Sequence, residues 1–196
     1  MKICVYCSSS DRIDPLYFDA AEALGSQIAR RGDTLIYGGA GIGLMGAVAR
    51  AVKAGGGRVV GVIPEILRPE KITFSEADEL VYTSDMRERK AAMEERADAF
   101  VVLPGGFGTL EELSEILTLR QLRANTKPLV LLSVEGFWAP LVALFEHFYD
   151  GGFARRWLDL YYVADSVSDA LDYLDEHEST PPPAKWENWE SKNDQS

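Results

Sequence analysis

The stretch 98–122, DAFVVLPGGFGTLEELSEILTLRQL, constrains the fold most, because it joins a buried strand to a helix through a glycine-rich turn. The apolar run 99–103 predicts the strand, and Pro104 ends it. We expect the helix to begin near Thr109, which suits an N-cap and has Glu112 at capping-box spacing. Glycines leave a backbone open to a ligand, and the free N–H groups of a helix start favour an anion such as phosphate. The glycines of the turn are Gly105, Gly106 and Gly108.

Short apolar runs alternate with helical segments along most of the chain. Strands are predicted at 2–7, 34–37, 58–63, 80–83, 99–103, 128–132 and 160–164, and helices lie between them. This alternation predicts an α/β fold, a Rossmann-like doubly wound parallel sheet with helices on both faces.

Such sheets bind ligands at the carboxyl ends of their strands, where the strand order reverses. If the strand order is 3-2-1-4-5-6, four loops meet at that point. These loops are 8–10, 38–46, 83–90 and 104–109.

Length and charge limit the organisation and the partners of the chain. With 196 residues we expect one Rossmann-like domain over 1–178, followed by a polar, mobile tail over 179–196. A net charge of −11 without a long basic run argues against nucleic acid and anionic membranes as partners. No apolar stretch approaches the roughly 18 residues of a membrane span, and the N-terminal segment lacks a signal-peptide layout. These features predict a cytoplasmic protein that acts on a small molecule.

The two cysteines, Cys4 and Cys7, lie in the first predicted strand. Three residues of strand rise place them on opposite faces, about 10 Å apart. A disulfide needs Cα atoms within about 7 Å. The two histidines, His147 and His177, are far along the chain, so buried thiols are favoured over a disulfide or a zinc site.

The loop GGAGIGLMG contains a G-x-G-x-x-G pattern at Gly41, Gly43 and Gly46. Glu65 lies 19 residues further on, near the usual place of a ribose-binding acid. The pattern fits contact with a phosphate or nucleotide, but it also fits a tight turn with close helix–strand packing. The sequence leaves both interpretations open.

The helical segment MRERKAAMEERA places cations on an apolar face. Met86 and Met93 share this face, and Arg89 and Lys90 follow Met86 by three and four residues. Buried cations are unfavourable unless they pair or meet an anion. The two side chains therefore either reach solvent along the edge of the face or form a basic wall of the crevice.

Helical geometry separates the acidic residues of the stretch 98–122. At about 100° per residue, Glu111 and Glu115 point away from the apolar face and form a like-charge pair toward solvent. Glu112 lies on the flank of the apolar face, from which it can reach a neighbouring cleft. An acid in the first turn of a helix can also simply compensate the helix dipole, which fits Glu111 well and Glu112 less well. We therefore expect Glu112 to be a catalytic carboxylate. Arg120 also falls on the apolar face, where the pattern offers no role for it.

Three stretches together, YGGAGIGLMGAVA, MRERKAAM and LPGGFGTLEE, resemble the Lonely Guy (LOG) family of cytokinin-activating phosphoribohydrolases. The resemblance implies a homodimer that cleaves nucleoside 5′-monophosphates to a free base and ribose 5-phosphate, with no metal or cofactor. It implies Arg89 and Glu112 as the catalytic pair. Residues expected at the substrate are Ser9, Gly39, Gly43, Met45, Gly46, Met86, Lys90, Gly105, Gly106, Gly108 and Thr109. Because breaking an N-glycosidic bond builds positive charge on the ribose, a fixed carboxylate suits this chemistry.

Three other functions remain open at this point. Members of the family have been labelled lysine decarboxylases, although nothing in this sequence marks a pyridoxal-binding lysine. A carrier resembling molybdenum-cofactor carrier proteins would need the glycine-rich loops but not Glu112. A dinucleotide-dependent oxidoreductase would leave PGGFGTLEE unexplained.

Overall fold

The computed structural model describes residues 1–67, 72–154 and 160–177. Within these ranges seven strands form one sheet. They are β1 Lys2–Tyr6, β2 Thr34–Tyr37, β3 Arg58–Pro64, β4 Glu79–Thr83, β5 Ala99–Val102, β6 Leu129–Leu132 and β7 Tyr162–Ala164. The α-helices are α1 Pro15–Arg30, α2 Gly43–Ala54, α3 Met86–Arg96, α4 Phe107–Gln121, α5 Ala139–Asp150 and α6 Val167–Glu176. Two short 3₁₀ turns cover Glu65–Leu67 and Val134–Gly136.

The strand order is β4-β3-β2-β1-β5-β6-β7, and every neighbouring pair is parallel. The predicted doubly wound fold is confirmed, but the predicted order is wrong for one strand. β4 pairs with the outer edge of β3, with Leu80 opposite Gly61, and does not lie beside β1. The order therefore reverses between β1 and β5. Helix α3, about 16 Å long at 1.5 Å per residue, carries the chain back under the sheet from β4 to β5.

Side chains of β1 alternate between two hydrophobic cores, one on each face of the sheet. Ile3 and Val5, with Cys7 directly after the strand, pack with α1, α2 and α6, whereas Cys4 and Tyr6 pack on the side of α3, α4 and α5. The prediction of buried, unbridged cysteines on opposite faces is confirmed. Burial raises the pKa of both thiols, so they stay protonated at neutral pH.

Helix α4 begins earlier than predicted. Its N-cap is Gly106 in an extended conformation, and no side chain caps it. Thr109 lies in the first turn and packs on Gly105, where an added Cβ would stand 2.1 Å from the Thr109 hydroxyl oxygen. The predicted capping box with Glu112 is therefore wrong, because Thr109 is already helical.

Arg120 ties the end of α4 to two later segments. Its Nε donates to the carbonyl oxygen of Leu160 at 2.8 Å, and its Nη1 donates to the carbonyl oxygen of Lys127. These bonds explain why an arginine can be buried at the end of α4.

Within the described ranges no helix has the length and apolar character needed to cross a bilayer. The cytoplasmic location stays a prediction from the sequence. The domain end at 178 and the tail 179–196, which contains Trp186 and Trp189, lie outside the described residues.

Candidate functional site

A cavity of about 510 Å³ lies at the carboxyl edge of the sheet, where the strand order reverses. Its walls come from residues in 7–10, 38–45, 86–89 and 106–112, together with Ile63 and Ile72. Parts of all four predicted loops thus meet, although the strand order differs from the one assumed. They meet because α3 packs under the sheet and its first turn brings Arg89 to Gly38, at the end of β2, and to the carbonyl oxygen of Val62 on β3.

An ion pair between Arg89 and Glu112 forms part of the cavity wall. The Arg89 Nη1 donates to Glu112 Oε1 at 2.6 Å, and Arg89 Nε donates to the carbonyl oxygen of Val62 at 3.1 Å. Each of the two residues is only 4% exposed. Burial raises the pKa of Glu112, and the Arg89 charge and hydrogen bond oppose that rise. Arg89 therefore meets a buried anion, and the alternative in which it reaches solvent is wrong for this residue.

Gly38 makes room for the third guanidinium nitrogen. A Cβ added at Gly38 would lie 2.2 Å from Arg89 Nη2 and 3.0 Å from the sulfur of Met45. Gly38 and Arg89 both line the cavity. The carboxyl end of β2 thus fixes the plane in which the guanidinium can sit.

Lys90 does not line the cavity. Its amine pairs with both Glu111 and Glu115, and its side chain is 12% exposed. The structure therefore does not bring Lys90 to the predicted substrate contact. Glu111 and Glu115 face solvent as expected, with side chains 56% and 41% exposed, and Lys90 compensates their like charges.

The start of α4 presents open hydrogen-bond donors to the cavity. Among the described residues, the backbone N–H groups of Phe107, Gly108 and Thr109 have no acceptor. A Cβ on Gly106 or Gly108 would meet no described residue within 4 Å, so packing in this part of the chain does not require a glycine at either position. Gly106, Gly108 and Thr109 line the cavity as predicted, whereas Gly105 lies behind Thr109.

The start of α2 is different, because other parts of the chain occupy its donors. The N–H of Gly43 donates to the Asp11 carboxylate at 2.8 Å, and the N–H of Leu44 donates to the carbonyl oxygen of Ser8 at 2.9 Å. These donors are therefore not available to a phosphate.

The glycines of the same loop serve close packing. Gly43 has φ +57°, and a Cβ there would lie 2.4 Å from the carbonyl carbon of Ser9. A Cβ on Gly46 would lie 2.2 Å from the carbonyl oxygen of Gly41. Gly39 has φ +78°. The tight-turn interpretation therefore explains this loop, and the cavity wall does not include Gly39, Gly43 or Gly46.

Other predicted residues of these loops divide in the same way. Ser9, Met45 and Met86 line the cavity. Glu65, the candidate ribose-binding acid, lies in an exposed 3₁₀ turn after β3 and does not line it. The dinucleotide interpretation is therefore not supported, because the donors at the start of α2 are occupied and Glu65 does not line the cavity.

Several apolar residues of the cavity wall were not anticipated. Phe107 is 92% exposed at the start of α4, and its position between two glycines was the available signal. Ile72 comes from the connection after β3, where its carbonyl oxygen accepts from the N–H of Gly41 at 2.6 Å. Nothing local in the sequence shows that contact. Among the described residues, no group of three or more His, Cys, Asp or Glu side chains could hold a metal.

The fold and the cavity define a Rossmann-like α/β protein with a ligand site at the switch point of its sheet. The sequence model of the family described as "Possible lysine decarboxylase" matches residues 45–174. A cytokinin riboside 5′-monophosphate phosphoribohydrolase LOG of Oryza sativa subsp. japonica is 47% identical over 159 residues, which cover 79% of this chain and 66% of that protein. A second such enzyme, from Arabidopsis thaliana, is 41% identical over 192 residues, 95% of this chain and 90% of the other.

The chain belongs to the LOG family, whose named members at this level of identity are phosphoribohydrolases. Among solved structures, the molybdenum cofactor carrier protein of Chlamydomonas reinhardtii is similar, with a TM-score of 0.70 and 25% identity. That match covers 89% of this chain and 96% of the carrier. The shared fold therefore includes proteins described as carriers as well as enzymes.

Proposed function

We propose that this protein hydrolyses the N-glycosidic bond of adenosine 5′-monophosphates, including those with an N6 substituent, to a free base and ribose 5-phosphate. The observation that carries the proposal is the buried Arg89–Glu112 pair in the same cavity as the open start of α4. The start of α4 suits a phosphate, and the carboxylate of the ion pair suits the positive charge that develops on a ribose.

The 5′-phosphate is assigned to the N-terminus of α4. The N–H groups of Phe107, Gly108 and Thr109 point their positive ends out of the helix, and the helix dipole adds to their attraction for an anion. Gly106 and Gly108 leave room for phosphate oxygens to approach the backbone. A phosphate held there anchors one end of the substrate, which favours a fixed position of C1′.

Glu112 is assigned to the ribose. It lies one helical turn after the N–H groups of α4, within the same cavity. As the bond to the base breaks, positive charge builds at C1′ and the ring oxygen, and a buried carboxylate stabilises it strongly because little water screens the interaction. This role holds whether Glu112 also attacks C1′ or orients the water that does.

Arg89 has two functions in this proposal. It opposes the rise that burial causes in the pKa of Glu112, and it fixes the carboxylate in one orientation through the 2.6 Å hydrogen bond. Its Nη2, which has no acceptor among the described residues, is available to the substrate.

The remaining walls suit the base. Ile42, Met45, Ile63, Ile72 and Met86 line the cavity, and their apolar surface favours a purine ring and an apolar substituent on it. These walls therefore support a purine nucleotide as the class of substrate.

A carrier without turnover is the second candidate, because the Chlamydomonas reinhardtii carrier shares the fold at a TM-score of 0.70. A carrier needs a cavity and an anion site, but it has no use for a buried carboxylate beside a ribose. A lysine decarboxylase is not favoured. No lysine is among the described residues that line the cavity, and a pyridoxal cofactor would need one.

The wild-type protein incubated with AMP, or with N6-isopentenyl AMP, is expected to release ribose 5-phosphate and the free base in equal amounts. Chromatography of the base and an enzymatic assay of the sugar phosphate would measure both products. Adenosine, which lacks the phosphate, is the matched control substrate and should react far more slowly. Tight binding of AMP without either product would establish the carrier instead.

We also propose that the protein is a homodimer, and that the outer face of α5 forms part of the interface. No residue of α5 is buried within the described part of the chain. Its Leu144 and Phe148 are exposed one turn apart, beside a groove of about 510 Å³ between α4 and α5. An exposed apolar surface of this kind favours association with a partner, and the LOG resemblance implies that the partner is a second copy.

Replacing Phe148 by Asp should convert the dimer to a monomer, because a charge would be buried in the interface. Light scattering after gel filtration would measure the mass against the 21.7 kDa of one chain. Ile66→Asp, at an exposed apolar position away from this groove, is the control. A dimer that survives Phe148→Asp and Leu144→Asp would place the interface elsewhere.

A further inference from the structure

We propose that Lys90 is a positioning residue that acts with Glu111 and Glu115 as a clamp between α3 and α4, and that it does not bind the substrate. The clamp holds Arg89 and Glu112 at their hydrogen-bonding distance. The kinetic part of this inference rests on the proposed hydrolysis, whereas its structural part does not.

Two ion pairs of successive residues bridge the same two helices. Arg89 and Lys90 are neighbours on α3, and Glu111 and Glu112 are neighbours on α4. The pair Arg89–Glu112 lies on the cavity side, and the clamp lies outside it. Any change in the separation of the helices at the clamp therefore changes the inner pair as well. Glu115, one turn after Glu111, gives Lys90 a second acceptor on α4.

The surroundings of Lys90 are unsuited to a phosphate. Its amine already has two carboxylates, so an anion would have to displace one of them and lie close to the other. It lines a separate surface groove with Leu110 and Leu119. Phe107 lies between this groove and the cavity, because its side chain borders both.

The clamp also balances charge around Glu112. Glu111 raises the pKa of Glu112 and Lys90 lowers it, while Arg89 lowers it more and burial raises it most. The titratable groups that face Glu112 are Arg89 and Lys90 on α3, Glu111 on α4, Cys4 and Tyr6 on β1, and Cys7 directly after β1. Burial raises the pKa values of Cys4, Tyr6 and Cys7, so they remain neutral and leave the balance to the charged residues.

Two variants distinguish a clamp from a substrate contact, because a clamp predicts that they move the acid limb of kcat/KM in opposite directions. In Lys90→Met, the clamp predicts a fall in kcat of roughly tenfold with KM within about twofold, since only the geometry of the inner pair is disturbed. The acid limb of kcat/KM, which follows ionisation of Glu112, should move to higher pH because Glu111 is no longer compensated. The double variant Glu111→Gln, Glu115→Gln should also lose kcat, but its acid limb should move to lower pH.

A substrate contact predicts another outcome. Lys90→Met would then raise KM strongly, and the double variant would lower KM because it frees the cation for the phosphate. That pair of results would overturn the clamp. Lys90→Arg should recover most of the activity of Lys90→Met, and Glu95→Gln on the exposed side of α3 is the charge-neutralising control.

A measurement that needs no turnover keeps this inference separate from the proposed function. Carbon NMR titration of the Glu112 carboxyl in the wild type and both variants should show a higher pKa in Lys90→Met and a lower pKa in the double variant. The effects of Lys90→Met and of the double variant on the free energy of unfolding should be non-additive, and less so in 1 M NaCl. Absence of turnover in the wild type would refute the hydrolase, whereas additive unfolding effects with an unmoved Glu112 titration would refute the clamp.

Discussion

Replacing Glu112 by Gln is expected to abolish turnover of AMP while leaving AMP binding within a few-fold of the wild type. The amide keeps an oxygen that can accept from Arg89 Nη1, so the fold and the inner contact are retained and only the negative charge is lost. Without that charge, no carboxylate among the described residues that line the cavity opposes the positive charge that develops at C1′. We expect kcat to fall by roughly 10³-fold or more, equivalent to about 4 kcal/mol of transition-state stabilisation.

Release of ribose 5-phosphate would measure kcat, and calorimetry with AMP would measure binding. Glu95→Gln, which removes one exposed carboxylate from α3, is the control and should leave both unchanged. An equal loss of kcat and binding would mean that Glu112 holds the ligand and does not assist the chemistry. Activity of Glu112→Gln within threefold of the wild type would exclude any catalytic role for this carboxylate.

The fold was predictable because its information is local. Each strand is an apolar run and each helix follows a turn, so the α/β class can be inferred from patterns shorter than twenty residues. The position of β4 was not predictable in this way. It depends on whether the chain after β3 pairs with the outer edge of β3 or crosses to β1, and a short apolar run does not determine which strand it pairs with.

The site was predictable to the extent that helix geometry determines it. The direction of Glu112 follows from its angle to the apolar face of α4, and Arg89 follows from its place on the corresponding face of α3. The angle alone could not distinguish Arg89 from Lys90. Arg89 pairs with Glu112, whereas Lys90 pairs with Glu111 and Glu115. That difference depends on how α3 and α4 pack against each other.

The glycines show most clearly that a sequence pattern alone does not separate a packing role from a ligand-binding role. In the sequence, Gly43 and Gly108 both stand at the start of a helix after a strand, and both suit a phosphate site. In the structure, a Cβ on Gly43 would collide with the backbone of Ser9, whereas a Cβ on Gly108 would meet none of the residues that the structure describes within 4 Å. The first glycine is required by the protein itself. The second has no such requirement, which makes the start of α4 the better candidate for ligand contact.

Gly38→Ala is expected to reduce kcat by about 100-fold with only a modest loss of stability. The new Cβ would lie 2.2 Å from Arg89 Nη2, so the guanidinium must move by about 1 Å, and displacements of this size in an active site cost about that factor. Because the atoms in conflict are the ends of flexible side chains, Arg89 and Met45, we expect a cost of about 1–2 kcal/mol in the free energy of unfolding. Denaturant unfolding and the ribose 5-phosphate assay would measure the two effects.

Gly41→Ala is a matched control in the same loop, because its Cβ would make only ordinary contacts at 3.6 Å and beyond. It should change neither kcat nor stability appreciably. If Gly38→Ala lowered stability and activity in parallel, with AMP binding lost as well, Gly38 would serve the fold alone. If kcat stayed within twofold of the wild type, Arg89 could move without consequence, and its contact with Glu112 would not be needed for the reaction. A selective loss of kcat would instead show that the backbone at the end of β2 is shaped around the guanidinium.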